Sequence, residues 1–516
     1  MQGKTCEESE KLAPGRMKEM YKRRSQQLSL LEDAEMFGGL KLSPRNRWVR
    51  LSKIVPWAEF EERYAKHFSK RTGQIAIPAR MALGALLIKE RYHGMSDEDL
   101  VEEIAMNPYL QYFLGMPEYN EICPFASTMF VRFRKRVTPE MLAWVNDRIC
   151  ERPEEKPDDQ DHGDNDSSDG SGHKNEPDGG CKESQAEQLT MGTLILDATC
   201  APQNIRFPQD ASLLDEARRN LEQIIDVMHD NGMTDGQKPR TYREQAKNEY
   251  NGYSKKRRKK YKDHRNAVKA QLQYVRRDLG YIDSILIHHP DCLTLLPIWL
   301  QERLPLIRTL YAQQQGMYDN KVHSCPDRII SLSQPWIRPI VRGKLNAATE
   351  FGAKIEMSVV NGFLRIEHLS WSSFNESTTL QASVESYRRA YGHYPARILA
   401  DTIFRTRENL RYCKEHGIHM SGPKLGKRPS DEKVYREQLR QEWLESGERG
   451  EIERDFGVAK RRYSLGRIFT KLKETSETTI HLAVLSLNLW KKLRLLLHTL
   501  LQWWLACCAD FSFAEL

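Results

Sequence analysis

The stretch LILDATC, residues 194–200, sets three apolar residues against a carboxylate. Leu194, Ile195 and Leu196 have the length and composition of a short buried strand, and Asp197 stands where that strand is expected to surface. The pattern returns in RILADTI, where Ile398, Leu399 and Ala400 deliver Asp401. A carboxylate leaving a buried strand is rigidly held and partly desolvated. Two of them on neighbouring strands repel unless a cation lies between them. Hard divalent ions such as Mg²⁺ take carboxylate oxygens and keep waters for substrate. Two such ions, roughly 3.5–4 Å apart, polarise both the attacking and the leaving oxygen of a phosphoryl transfer. A third acid is then expected from a nearby helix. In ERGEIERDFGVAKRRYSLG, Glu453 has Arg449 four residues before it and Lys460 seven after, all on one helical face. Glu451 and Asp455 compete for the role, but neither has both cations at these spacings.

Working outward, the apolar period becomes two after residue 353. AKIEMSVV (353–360) and FLRIEHLSW (363–371) read as a hairpin closed by Asn361-Gly362, the strongest short-range hairpin signal. A helix (QASVESYRRAYG), the strand RILADTI, a further helix, the short strand IHMSGPK and the helix of Glu453 follow. This order predicts a mixed α/β sheet with helices on its faces, occupying residues 191–210 and 341–480. Between the two parts, residues 211–340 carry apolar residues at helical steps: Leu214, Ala217, Leu221, Ile224 and Met228, then Val268, Leu272, Val275, Leu279 and Ile282. They predict a helical insertion. Within it lies SKKRRKKYKDHR (254–265), with eight Lys or Arg in twelve residues. Such a run is a solvated loop or, beside a polyanion site, a clamp on phosphates.

Residues 41–148 are mostly helical by pattern. PARMALGALLIKERYHG is one helix, with Pro78 in its first turn. MSDEDLVEEIAMNPYLQYFLG is capped by Ser96, with Asp99 completing a capping box. FASTMFVRFRKRV is a third, with Arg132, Lys135 and Arg136 on one face. Three short helices with a basic last one suit a helix-turn-helix-like DNA-binding domain. Residues 1–40 are expected to be a flexible basic tail. Residues 149–190 form an acidic linker, too poor in apolar residues to offset the entropy of ordering. The C-terminal part, 481–516, is expected to be a packing helix that includes LRLLLHTLLQWWLACC, which Arg494, His498 and Gln502 disqualify as a membrane span.

The chain's 516 residues call for several domains. Its net charge of +8 hides an asymmetry: residues 151–188 hold thirteen Asp or Glu against four Lys or Arg, leaving +17 on the rest. A basic body on an acidic tether points to a polyanionic partner, double-stranded DNA above all. Ten scattered cysteines without a CxxC fit neither a disulfide framework nor a zinc ribbon. The opening MQGKTCEESEKLAPGR has no apolar core, and a cytoplasmic protein is expected. GPKLGK (422–427) falls short of a phosphate-binding loop: it has three residues between its glycines, and Arg428 stands where Ser or Thr is needed. His416 and His419 have a metal-like gap but no partner ligands, and no GxSxG occurs.

Several of these segments resemble a DDE transposase of bacterial insertion sequences, in the insertion-sequence-five-like branch. RYHGMSDEDLVEEIAMNPYLQYFLGM with PFASTMFVRFRKR resembles that family's N-terminal domain. LDATCAPQNIRFPQD resembles its first catalytic block, and RPIVRGKLNAATEFGAK the approach to its hairpin strands. LADTIFRTRENLRYCKEHGIHMSGPKLG resembles the second block, and ERGEIERDFGVAKRRYSLGRI the third. The resemblance implies an RNase H-like catalytic domain with Asp197, Asp401 and Glu453 as the catalytic and metal-binding triad. It implies two Mg²⁺, with Mn²⁺ as a substitute, and Arg449, Lys460, Arg461 and Arg462 against the DNA backbone. It also implies cleavage and strand transfer at terminal inverted repeats by a homodimer in a synaptic complex, in the bacterial cytoplasm. The wider group's Tyr-Arg-Glu-Lys signature is matched by Arg449, Glu453 and Lys460, but Ser446 stands at the Tyr position. That departure touches any handling of a flipped base or hairpin that a Tyr supports and leaves the metal ligands intact. The alternatives are a metal-dependent nuclease of the same fold, which Ser446 favours, and a catalytically inactive DNA-binding derivative.

Overall fold

The computed structural model describes residue 37, residues 39–68, 76–150, 190–234, 236–344 and 347–423, residue 426 and residues 429–513. Most of the expected tail at 1–40 and of the acidic linker at 149–190 therefore lies outside the described residues. By sequence the tail holds seven Lys or Arg and seven Asp or Glu, so it has no net charge, and five of its seven cations cluster at residues 16–24.

The expected mixed sheet is present, with six strands. β1 (Thr193–Pro202), β2 (Arg338–Lys344), β3 (Ala347–Val360), β4 (Phe363–Ser370), β5 (Arg397–Leu399) and β6 (His419–Met420) take the order β2-β3-β1-β5-β6, with β4 also paired to β3. β1 runs antiparallel to β3 and parallel to β5, and β5 runs parallel to β6. The β3–β4 hairpin turns where expected. Asn361 and Gly362 both have positive φ, 52° and 81°, as a two-residue turn matched to strand twist requires.

β1 corrects one expectation. Asp197 is not at its tip: the strand continues five residues further, because β3 keeps pairing along it, Asp197 against Met357 and onward to Pro202 against Gly352. Only the edge toward β5 ends early, at the pair Ile195–Leu399. Ala198, Cys200 and Ala201 are small enough to stay buried in the extension. Asp401 does follow its strand directly.

Alternation along the strands divides the sheet's faces. Leu194, Leu196, Ile398 and Ala400 pack with α12 (Leu380–Tyr391) and α13 (Arg407–Glu415). Ile195, Ile355, Met357 and Leu399 pack with Ile452, Phe456 and Ala459 of α14 (Glu432–Arg462) and with α15 (Lys473–Phe513). The remaining helices precede α12 in the chain. Seven of them, α1 (Arg47–Ser52), α2 (Trp57–Ala65), α3 (Ala79–Arg91), α4 (Asp97–Met106), α5 (Pro108–Phe113), α6 (Met129–Arg136) and α7 (Pro139–Cys150), form the N-terminal bundle. Pro78 is the N-cap of α3 rather than a first-turn residue, and the Ser96 hydroxyl accepts the Asp99 N–H at 3.0 Å, as expected. The expected insertion is α8 (Asp210–Asp230), α9 (Arg243–Lys255), α10 (Tyr261–His288) and α11 (Ile298–Asn320), around its own apolar core.

α15 starts at Lys473, before the expected boundary at 481, through a Ser/Thr-rich stretch of low helix propensity. Thr475, Thr478 and Thr479 satisfy their hydroxyls on carbonyls three or four residues back, and packing overrides the low propensity. One stripe of α15, Leu482, Leu485, Leu489 and Leu493, is buried in the N-terminal bundle. Another, Ile480, Ala483, Val484 and Leu487, is buried against the sheet. Among the described side chains this packing runs to Leu493, and residues 494–499, the next part of the leucine-rich stretch, are exposed. Among the described residues no helix is long and apolar enough to cross a membrane.

Gly352 marks the tightest approach in the sheet: a Cβ there would lie 2.0 Å from the Ala201 carbonyl oxygen. Gly352→Ala is expected to force β1 from β3 and cost about 1–3 kcal/mol, read as a lowered thermal midpoint; an unchanged midpoint would show that the strands can separate freely.

Candidate active site

The register puts the two aspartates at equivalent positions on adjacent strands. Ile195 and Leu399 are direct partners on adjacent parallel strands, and Asp197 and Asp401 each lie two residues beyond. Both aspartates therefore follow the parity of the face that α14 covers, on strands about 4.8 Å apart. Asp401 is the N-cap of a 3₁₀ turn, Thr402–Phe404, and accepts the Thr402 N–H at 2.7 Å. Its carboxylate is exposed. Asp197 is half-buried and accepts the Ala198 N–H at 2.8 Å. Burial pushes its carboxyl up to about 6, and the nearby carboxylates Glu376 and Glu453 push the same way, against the Ala198 N–H and the Arg449 guanidinium.

α14 supplies the third expected acid. Ile452, Phe456 and Ala459 seat the helix on the sheet, which leaves Glu453 on the rim with its side chain 59% exposed. It pairs with Arg449 at 3.7 Å, the i,i+4 neighbour anticipated from the sequence. The competing acids face elsewhere: Lys491 of α15 holds Glu451 at 3.2 Å and Asp455 at 3.0 Å. Of the four basic residues expected near DNA on this helix, Arg461 and Arg462 are exposed, Lys460 and Arg449 half-buried. Ser446 is exposed one turn before Arg449.

Among the described residues, no three His, Cys, Asp or Glu side chains stand close enough to share a metal ion. Asp197 and Asp401 are set by the sheet; Glu453 is turned to Arg449. The donor set nonetheless suits a hard cation: all ligand atoms are carboxylate oxygens, and one carboxyl is held above its usual range by burial and like charge, which a divalent ion relieves.

Sequence reading missed Glu376. It sits on the 3₁₀ turn Glu376–Thr378 and pairs with Lys354 at 2.8 Å. Buried Asn409 donates to the carbonyls of Ser377 and Phe404, both at 2.8 Å, and so ties this turn to that of Asp401. No period or spacing marks a residue brought in by a loop. In the N-terminal bundle, Arg132 and Lys135 are exposed, whereas Arg136 lies over the Phe68 ring at 4.9 Å. Buried Phe130 and Phe133 fix the inner face of that helix. The His pair is structural: His416 stacks on Tyr394, with ring centroids 4.4 Å apart, and His419 meets Glu445 at 2.8 Å.

The chain matches two family models, one described as "Transposase DDE domain" over residues 398–490 and one as "Transposase domain (DUF772)" over residues 39–136. The first contains Asp401 and Glu453; the second contains Arg132, Lys135 and Arg136. It is also similar to an uncharacterized protein, ORF8 in the nfe locus of Rhizobium meliloti. The two are 34% identical over 101 residues, 20% of this chain and 48% of that protein, so the chain spans about half the length of the curated relative. No solved structure matches it.

Because the folded Asp197 carboxyl lies above its ordinary 3.8, its contribution to stability is present below about pH 4 and is lost as pH rises through about 6. Asp197→Asn is therefore expected to raise the stability of the metal-free protein at pH 7 by about 1–3 kcal/mol, with little effect near pH 4. Equal midpoints at pH 7 would show that Asp197 is well solvated.

Proposed function

We propose that the chain is a DDE transposase of the insertion-sequence type, which cuts DNA at the terminal inverted repeats of its element and joins the freed 3′-hydroxyl to a target phosphodiester. What supports this reading most directly is that Asp197 and Asp401 each follow the last β1–β5 pair by two residues, on strands whose same face packs against the helix that carries Glu453. The family's catalytic domain is RNase H-like, in keeping with the mixed sheet. The family depends on a divalent metal, generally Mg²⁺.

Asp197, Asp401 and Glu453 would hold the metal, two Mg²⁺ ions in this proposal, with Mn²⁺ able to replace them. Bound there, the ions supply charge neutralisation and polarisation of the phosphoryl oxygens. Asp197 and Asp401 give a rigid frame, because sheet pairing and the Thr402 cap fix their backbones. Glu453 completes the set by leaving Arg449, which frees that guanidinium for a DNA phosphate. Lys460, Arg461 and Arg462 continue the cationic row along the strand backbone. Arg132 and Lys135, with Arg136 behind them, present the helix-turn-helix-like face to the element's ends. Two ends must be brought together, so a homodimer in a synaptic complex is part of the proposal. A nuclease that cuts without joining is the second reading, favoured by Ser446 at the Tyr position.

Cleavage and joining on DNA carrying the element's own ends, with Mg²⁺ or EDTA, tests the reading. Joined products are expected only with metal. Asp401→Asn is expected to reduce them by on the order of 10³-fold while DNA binding is kept or strengthened. Nicking without joining supports the nuclease; binding without cleavage under any metal indicates an inactive derivative; cleavage that persists in Asp401→Asn refutes the site.

A further inference from the structure

We propose that the exposed turn between α9 and α10, residues 255–262, is a second DNA-backbone contact, built into the helical insertion and separate from the N-terminal helices. The proposal rests on the DNA-joining reading above. Every residue of the turn is exposed, and seven of the eight are Lys or Arg. Lys260 opens α10 and donates its backbone N–H to Asp263 at 3.1 Å, and the other six divide into two groups. Lys256 pairs with Asp263 at 2.9 Å, and Lys259 donates to the carbonyls of Ser254 and Lys256 at 3.2 and 3.1 Å. These hold the shape of the turn and close the end of α9. Lys255, Arg257, Arg258 and Lys262 make no hydrogen bond, ion pair or ring contact with the described residues. Four unpaired cations on one tight turn repel one another, and an ordinary solvated surface intersperses acids among such charges. A chain of phosphates relieves the repulsion.

The turn is also anchored where a DNA contact is useful. His264, just after it, lies 3.8 Å from Asp210, the first residue of α8. Asp210 is fixed in turn by Arg328 at 2.5 Å and Gln314 at 3.0 Å. Arg265 lies over the Tyr318 ring at 4.0 Å and donates to the Tyr318 carbonyl at 3.1 Å. Asp210 is joined to the end of β1 only by residues 203–209. Even fully extended, the chain from Asp197 to Asp210 covers no more than ~45 Å, about thirteen base pairs of duplex at 3.4 Å each. DNA that runs from Asp197 toward α8 has its flank within reach of the turn. Flexible Lys and Arg on a turn touch phosphates and carry no base information, so the contact serves element ends and target alike.

The test compares the full-length chain with a variant carrying Lys255→Ala, Arg257→Ala, Arg258→Ala and Lys262→Ala. DNA affinity is measured as a function of salt on a duplex with the element's end and on a random duplex of equal length. Each lost phosphate contact lowers the slope of log affinity against log salt by about 0.9. The slope is expected to flatten by up to about 3.6, equally on both duplexes, at an unchanged melting temperature. The double variant Arg257→Lys, Arg258→Lys is expected to keep the wild-type slope. An unchanged slope in the fourfold variant overturns the proposal, and so does a loss confined to the element's end, which would mean base reading. Strand joining by the wild-type chain is followed alongside. Joining with an unaltered slope condemns the turn alone, whereas a flattened slope without joining condemns the transposition reading and leaves the DNA contact standing.

Discussion

A carboxylate on a central strand, half shut off from water and facing other carboxylates, is the constraint around which the site is arranged. Asp197 cannot turn away, because β1 is paired on both sides up to Ile195 and remains paired to β3 beyond it. Its charge is expensive in that place without a counter-ion. The cation that acts on it is Arg449, whose guanidinium is shared with Glu453. The arrangement costs stability in the metal-free chain, and a carboxyl perturbed by burial and like charge is a feature of functional sites.

The scaffold ties this frame to the N-terminal bundle. α15 does much of that work, since its two apolar stripes are sunk into the N-terminal bundle and the sheet at once. Polar contacts reinforce the join. The Asn488 side chain accepts the Leu364 N–H at 3.0 Å and donates to the Asn146 side chain at 2.7 Å, linking α15, β4 and α7. Glu90, buried in α3, accepts from the Ser464 hydroxyl at 2.9 Å and its N–H at 3.1 Å, directly after α14 ends. Burial pushes the Glu90 carboxyl up to about 7, with the Ser464 contacts opposing. The helices proposed to read DNA ends are thereby wired to the end of the helix that carries Glu453.

Much of this was legible in the chain itself. Period-two alternation with Asn361-Gly362 announced the hairpin, steps of three and four announced the insertion, and apolar triplets ending in Asp announced β1 and β5. What the sequence did not reveal lies in pairing partners and in loops. The continuation of β1 past Asp197 depends on β3, more than 150 residues away. The early start of α15 runs against the propensity of its threonines, so it is set by packing that the local sequence does not show. Glu376 arrives on a turn tied down by Asn409, and neither residue carries a local pattern. Glu453 was distinguishable from Glu451 and Asp455 by its cationic neighbours, and Lys491, far downstream, explains physically why the other two are occupied.

The account's central claim is that Asp197, Asp401 and Glu453 close on one divalent site, although Glu453 is paired with Arg449 in the metal-free chain. Titrating metal-free protein with Mn²⁺, followed by electron paramagnetic resonance, tests it directly. The account predicts saturable binding that Asp197→Asn and Asp401→Asn abolish and that Glu453→Gln weakens at least about tenfold, the scale of a lost ligand or its support, while Glu376→Gln leaves it in place. Binding that survives Glu453→Gln and disappears with Glu376→Gln would contradict it and move the third ligand from α14 to the turn beside Asp401.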